Sequence, residues 1–111
     1  MSEMEYNQWC EELLDNWRKK EVDQIVNLFD ENVIYYETPT TKMNAKEIRK
    51  MWEEIKEQNT SKIKFQILCE NEKCCIVNFI LEDKVTYDMI YLIKLNEKNK
   101  CTFFKQWYME V

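Results

Sequence analysis

The stretch VIYYETP, Val33 to Pro39, decides how the rest of the chain is read. Its β-branched and aromatic residues favour a strand, and the chain's only proline ends it, because proline cannot donate to a ladder. Alternation puts Tyr36 and Thr38 on one face and Tyr35 and Glu37 on the other. The inward pair decides whether Glu37 is a pocket carboxylate or a charge facing a lysine or a neighbouring subunit.

Upstream of this strand, Tyr6, Trp9, Cys10, Leu13, Leu14 and Trp17 fall on one face of a helix expected from Glu3 to Lys19. Val22, Ile25, Val26 and Phe29 repeat the spacing in a shorter helix, and the run DEN after Phe29 breaks it. Downstream, Asn44 with Glu47 three positions later forms a capping-box pattern. The helix it starts carries Ile48, Met51, Trp52 and Ile55 on one face. Four strand-like runs follow. SKIKFQILCE alternates, as a half-buried strand does. KCCIVNFILED is apolar on both faces and reads as a central strand. VTYDMIYLIKLN and CTFFKQWYMEV complete a meander, with LEDK and NEKNK as turns. Helices segregated from a mostly antiparallel sheet make an α+β domain, and 111 residues fit a single domain over 1–111.

Two absences prune the chemistry. There is no histidine, which removes histidine-assisted nucleophiles and histidine-ligated metals. There is no glycine either, so glycine-rich phosphate loops are absent and asparagine must serve in left-handed turns. No metal site or cofactor motif is visible. Any acid-base group must be Asp, Glu, Tyr, Lys or Cys. The 16 basic and 21 acidic residues give a net charge of −5 without a basic block, which argues against nucleic acid as a partner. No apolar run is long enough to span a membrane. No secretory signal is expected from the acidic N-terminal segment, and the chain reads as cytoplasmic. The five cysteines are odd in number and contain no C-x-x-C, so they read as reduced, buried, small hydrophobes.

Three stretches carry a family resemblance: EVDQIVNLFDENVIYYETP (Glu21 to Pro39), NAKEIRKMWEEI (Asn44 to Ile55) and YLIKLNEKNKCTFFKQWY (Tyr91 to Tyr108). Their order and spacing resemble the NTF2-like superfamily and, within it, the SnoaL-like branch. The resemblance implies a cone of three helices, all in the N-terminal half, packed on a curved, mostly antiparallel (cystatin-like) sheet, with a pocket between the two layers. Asn99 stands where the last hairpin of the family normally has a glycine.

The superfamily hosts several reactions, so the resemblance implies a pocket more firmly than a chemistry. In ketosteroid isomerase-like members the general-base aspartate precedes the proline; here that position is Thr38. The isomerase's oxyanion tyrosine falls on Leu13 and its protonated aspartate near Tyr91. The cyclase and dehydratase patterns lean on histidine. If the family's register holds, Tyr36, Thr38, Asn78, Tyr91, Phe104, Gln106 and Tyr108 point inward, with Trp52 as a pocket aromatic. This aromatic lining suits a small apolar ligand. Core packing is the competing account of Trp52, Phe104 and Tyr108. Asn78, in an apolar run, requires a partner, either Gln106 or a ligand.

In that register Glu37 points away from the pocket. A bulge before Pro39 reverses the faces and makes it a candidate general base. Asp88 is the second candidate, either paired with Lys105 across strands or joined to Glu37. Three functions follow: binding of a small ligand, cofactor-free isomerisation, cyclisation or dehydration by Glu37 or Asp88, and protein interaction by a filled cone. A homodimer through the outer sheet face is expected, with Cys75, Val77, Phe79 and Leu81 as its apolar strip.

Overall fold

The computed structural model describes residues 5–111. The proposed helix start at Glu3 lies outside them. Helix α1 (Tyr6–Lys19) buries Tyr6, Trp9, Cys10, Leu13 and Trp17, the stripe that the sequence predicts. It ends at Lys20, whose positive φ lets its N–H reach the carbonyls of Asn16 and Trp17. In a chain without glycine the two left-handed positions fall on Lys20 and Asn99. Asn99 is the substitution foreseen in the last hairpin. Lys20 was not foreseen, because lysine has no special tolerance for that conformation.

Helix α2 (Val22–Val26) leads into strand β1 (Phe29–Thr38). The strand is longer than VIYYETP alone suggests, since the DEN segment lies within it. A turn at Pro39 and Thr40 leads to a short strand β2 (Thr41–Met43), which the sequence reading missed. Three residues with few apolar neighbours give no alternation to detect. Asn44 then caps helix α3 (Ala45–Glu53) in a full capping box: its side chain accepts from the Glu47 N–H, and Glu47 accepts from the Asn44 N–H. Such a cap contributes about 1 kcal/mol. A 3₁₀ turn (Glu54–Glu57) extends α3, and the chain continues through β3 (Ile63–Glu70), β4 (Cys75–Glu82), β5 (Thr86–Leu95) and β6 (Cys101–Glu110).

The six strands form one sheet in the order β2-β1-β6-β5-β4-β3. Only the β1–β6 pair is parallel. The helices lie on one face. There the core unites Leu13 and Trp17 of α1 and Ile48 and Trp52 of α3 with inward residues of the strands.

Side-chain parity is set where β1 meets β6. Tyr35 pairs with Phe104 and Tyr36 with Lys105. Phe104 is fully buried, and Lys105 on the neighbouring face lies over the rings of Tyr36 and Trp107. Turning β6 over would bury the lysine at a large desolvation cost. Tyr35 therefore faces the helices, stacked on Phe104 with ring centroids 4.6 Å apart. A register shift between Phe29 and Ile34 accommodates this pairing. A second lies between Tyr36 and Thr38, against β2, at the place where the sequence reading considered a bulge before Pro39.

Directly opposed residues of antiparallel strands share a face, and Val77 opposes Tyr91 while Phe79 opposes Met89. Cys75, Val77, Phe79 and Leu81 are accordingly buried under the helices. They do not form the outer strip assigned to them. The outer face instead carries Ile34, Ile76, Ile80, Ile90, Leu92, Phe103, Trp107 and Met109, with Ile34, Trp107 and Met109 exposed.

The cysteines divide by position. Cys10, Cys75 and Cys101 are buried, Cys74 is half-buried and Cys69 is exposed, so the reading of all five as core hydrophobes fails at Cys69. Burial pushes the Cys75 and Cys101 thiols up to about 12 and the Cys10 thiol higher still. Only the thiolate attacks a disulfide reagent. With DTNB at about pH 8, Cys69 should react fast, and Cys10, Cys75 and Cys101 only after denaturant is added. Rapid release from all five in the native protein would contradict this packing.

Candidate functional site

The cone is filled at one end and open at the other. At the closed end Phe29 packs edge-on against Trp9, Tyr35 and Phe104, and Tyr91 lies 4.5 Å from Phe104 between ring centroids. At the open end the last turns of α1 and α3 and the 3₁₀ turn stand over the end of β1, the start of β5 and the end of β6. Between them is a cleft of about 260 Å³. Its walls are Trp17, Met51, Trp52, Ile55, Leu81, Tyr87, Met89, Tyr91 and Tyr108, and its polar groups are Glu37, Glu54, Gln58, Gln106 and Glu110.

Each polar group has a structural reason for its position. Glu37 sits in the irregularity of β1 between Tyr36 and Thr38 and lines the cleft. The Gln106 side chain donates from Nε2 to the Glu37 carbonyl at 2.9 Å, pinning the end of β1 to β6 and leaving its Oε1 as an acceptor. Trp17 donates from Nε1 to Gln58 Oε1 at 3.2 Å, which leaves the Gln58 NH₂ as a donor. Trp17 also meets Trp52 edge-on, with centroids 4.9 Å apart. The Tyr91 hydroxyl donates to Met89 Sδ at 3.4 Å. Burial raises the Tyr91 and Tyr35 hydroxyls above their ordinary values, so both stay protonated.

Trp52 is only 2% exposed. Its indole N–H falls short of full hydrogen-bond geometry, and a near partner is the buried Tyr35 hydroxyl, whose rise on burial it opposes.

Of the residues proposed from sequence, Glu37, Trp52, Tyr91, Gln106 and Tyr108 meet in this cleft. Phe104 faces the same way but is sealed into the closed-end aromatic stack. Tyr36, Thr38 and Asn78 are on the opposite face. Tyr36 pairs with Lys105 there. The Thr38 hydroxyl bonds Thr41 Oγ1 at 2.8 Å across the turn. Asn78 donates to Asp88 Oδ1 at 2.6 Å and to the Met89 carbonyl at 2.9 Å, so its partner is neither Gln106 nor a ligand. Asp88 is thereby held on the outer face by Asn78, not by Lys105, and the sheet separates it from Glu37. Glu37 lines the cleft and Asp88 a separate surface with Thr38, Ile90, Trp107 and Met109, so the structure does not bring the two carboxylates together. Sequence reasoning passed over Trp17, Gln58, Tyr87, Met89, Glu54 and Glu110. Tyr87 and Met89 were recoverable, since they alternate in phase with Tyr91.

Among the described residues no group of three or more potential ligands is placed to hold a metal ion. No helix is long and apolar enough to cross a membrane.

No protein-family model and no curated protein matches the sequence. Solved structures do match over nearly the whole chain. An NTF2-like protein of unknown function from Burkholderia xenovorans has a TM-score of 0.74 at 8% identity, covering 95% of this chain and 83% of its own. One from Cytophaga hutchinsonii has 0.70 at 10%, covering 97% and 93%. SalBIII, an epoxide hydrolase/cyclase-like enzyme with a role in pyran ring formation in the polyether salinomycin, has 0.67 at 13%, covering 93% and 89%. At these identities the likeness is one of architecture, and the architecture is that of an NTF2-like fold.

Proposed function

We propose that the protein binds a small, largely apolar ligand in the open-end cleft. The observation that carries this reading is the open cleft itself, walled by aromatic and thioether side chains. Such a lining takes up an apolar body, and the free amide groups of Gln58 and Gln106 orient it. A volume of about 260 Å³ suits one ring or a fused pair.

A second reading has one specific observation behind it. Glu37 presents a carboxylate in the same cleft as the free Gln58 amide donor. A base and a hydrogen-bond donor on one substrate are the parts of a cofactor-free isomerase, cyclase or dehydratase. SalBIII offers a precedent for cyclase-like chemistry on this architecture. Asp88 has no part in it.

Both readings are tested by titrating the ¹⁵N-labelled protein with neutral one- and two-ring ketones. The indole N–H signals of Trp52 and Trp17 should move on saturation, and Trp52→Ala should weaken binding about tenfold through loss of an aromatic wall of the cleft. Indole signals that ignore every ketone would contradict the binding reading. Exchange of the ketone's α-protons with solvent deuterium, lost in Glu37→Gln, would establish turnover; binding without exchange would reject it.

We also propose self-association through the outer sheet face. Ile34, Trp107 and Met109 are exposed there, 42%, 40% and 65% respectively, in one band with half-buried Ile90, Leu92 and Phe103. An apolar band of this kind is an interface signature. Sedimentation at micromolar concentration should give a dimer that Trp107→Lys converts to a monomer. A monomeric parent protein would contradict the proposal.

A further inference from the structure

We infer that the ligand of the open-end cleft is a flat ring compound with a carbonyl acceptor at one edge and an O–H or N–H donor at the opposite edge, as in a hydroxyaryl ketone. The inference rests on the reading of the cleft as a ligand site and adds the polarity of what enters it. Two half-buried amide side chains line the cleft, Gln58 and Gln106. Each is already bonded on one side to a protein group that can act in only one way. The Trp17 indole N–H can only donate, so it takes Gln58 Oε1, at 3.2 Å. The Glu37 carbonyl can only accept, so it takes Gln106 Nε2, at 2.9 Å. These partners fix both amide orientations. The end of Gln58 left over is its NH₂, a donor, and the end of Gln106 left over is Oε1, an acceptor. Among the described residues neither leftover end bonds to another protein group.

The two amides belong to different walls. Gln58 follows the 3₁₀ turn (Glu54–Glu57) on the helix side, and Gln106 lies in β6 on the sheet side. A ligand that satisfies both therefore carries its acceptor and its donor on opposite edges. Between the two walls, Trp17, Trp52, Met89 and Tyr91 offer an apolar lining that takes a flat ring. On the sheet side the Glu37 carboxylate lines the cleft together with Gln106, so a carbonyl placed there meets acceptors only. An O–H or N–H supplies the proton that both lack. On the helix side the Gln58 NH₂ requires an acceptor, which a ketone oxygen provides. A ring with neither group would desolvate both amides and pair neither, which costs affinity.

The test is calorimetry with three probes of matched shape: para-hydroxyacetophenone, para-methylacetophenone, which lacks the donor, and para-isopropylphenol, which lacks the carbonyl. The hydroxyketone, kept neutral below its phenol pKa, should bind about tenfold more tightly than either analogue, the contribution of one hydrogen bond. Gln58→Glu keeps an oxygen for Trp17 and turns the free donor into an acceptor. It should erase the hydroxyketone's advantage over para-isopropylphenol and keep its advantage over para-methylacetophenone. Continued protection of the Trp17 indole N–H from solvent exchange shows that the variant retains the internal bond. Equal binding of the three probes, or an advantage over para-isopropylphenol that persists in Gln58→Glu, would overturn the polarity inference and leave the cleft reading standing. Failure of all three to bind would overturn both.

Discussion

The stack of Tyr35 on Phe104 is the contact on which the rest of the arrangement depends. It is made across the one parallel strand pair, β1 with β6, and it couples the phase of the first strand to that of the last. Once Phe104 is inside, Lys105 is outside and Tyr35 is inside, and the irregularity between Tyr36 and Thr38 leaves Glu37 on the cleft. The antiparallel pairs carry the same phase through Tyr91 and Met89 to Val77 and Phe79. A one-residue slip at β1 would turn Tyr35 out of the stack.

The cleft exists because the two layers separate at one end. Aromatic side chains from both layers meet at the closed end and exclude solvent. At the open end α3 gives way to a 3₁₀ turn and α1 has already ended, so the helices no longer cover the sheet. What remains there is a mixed lining: tryptophan, tyrosine and methionine for an apolar body, with carboxylates and the amides of Gln58 and Gln106 among them.

The fold was legible because its signals were redundant. The α1 stripe, the Asn44–Glu47 cap and the alternation of Ile63, Phe65 and Ile67 each point to one element, and together they point to one architecture. Face assignment was not legible at β1 or β4, where both faces are apolar. VIYY offers no polar residue to mark the solvent side, and CIVNFIL offers only Asn78. Read by polarity alone, Asn78 would have been placed outside, where it bonds Asp88; reading it through a relative's register placed it inside. Strand β6 was easier to read because a charge, Lys105, marks its outer face, which leaves Gln106 on the cleft side, where it and Tyr108 line the cleft. Trp17 and Gln58 escaped notice because their contact joins positions 41 residues apart, a juxtaposition that periodicity does not report.

The account's central claim is that β1 turns Glu37, and not Thr38, toward a cleft that its own side chains leave open. A high-resolution crystal structure of the purified protein tests it directly. Expected are Tyr35 on the helix side, Glu37 in the cleft with its carbonyl bonded to Gln106, and density in the cleft from a ligand or ordered solvent. Tyr36 and Thr38 under the helices, or a cleft closed by its own side chains, would contradict it.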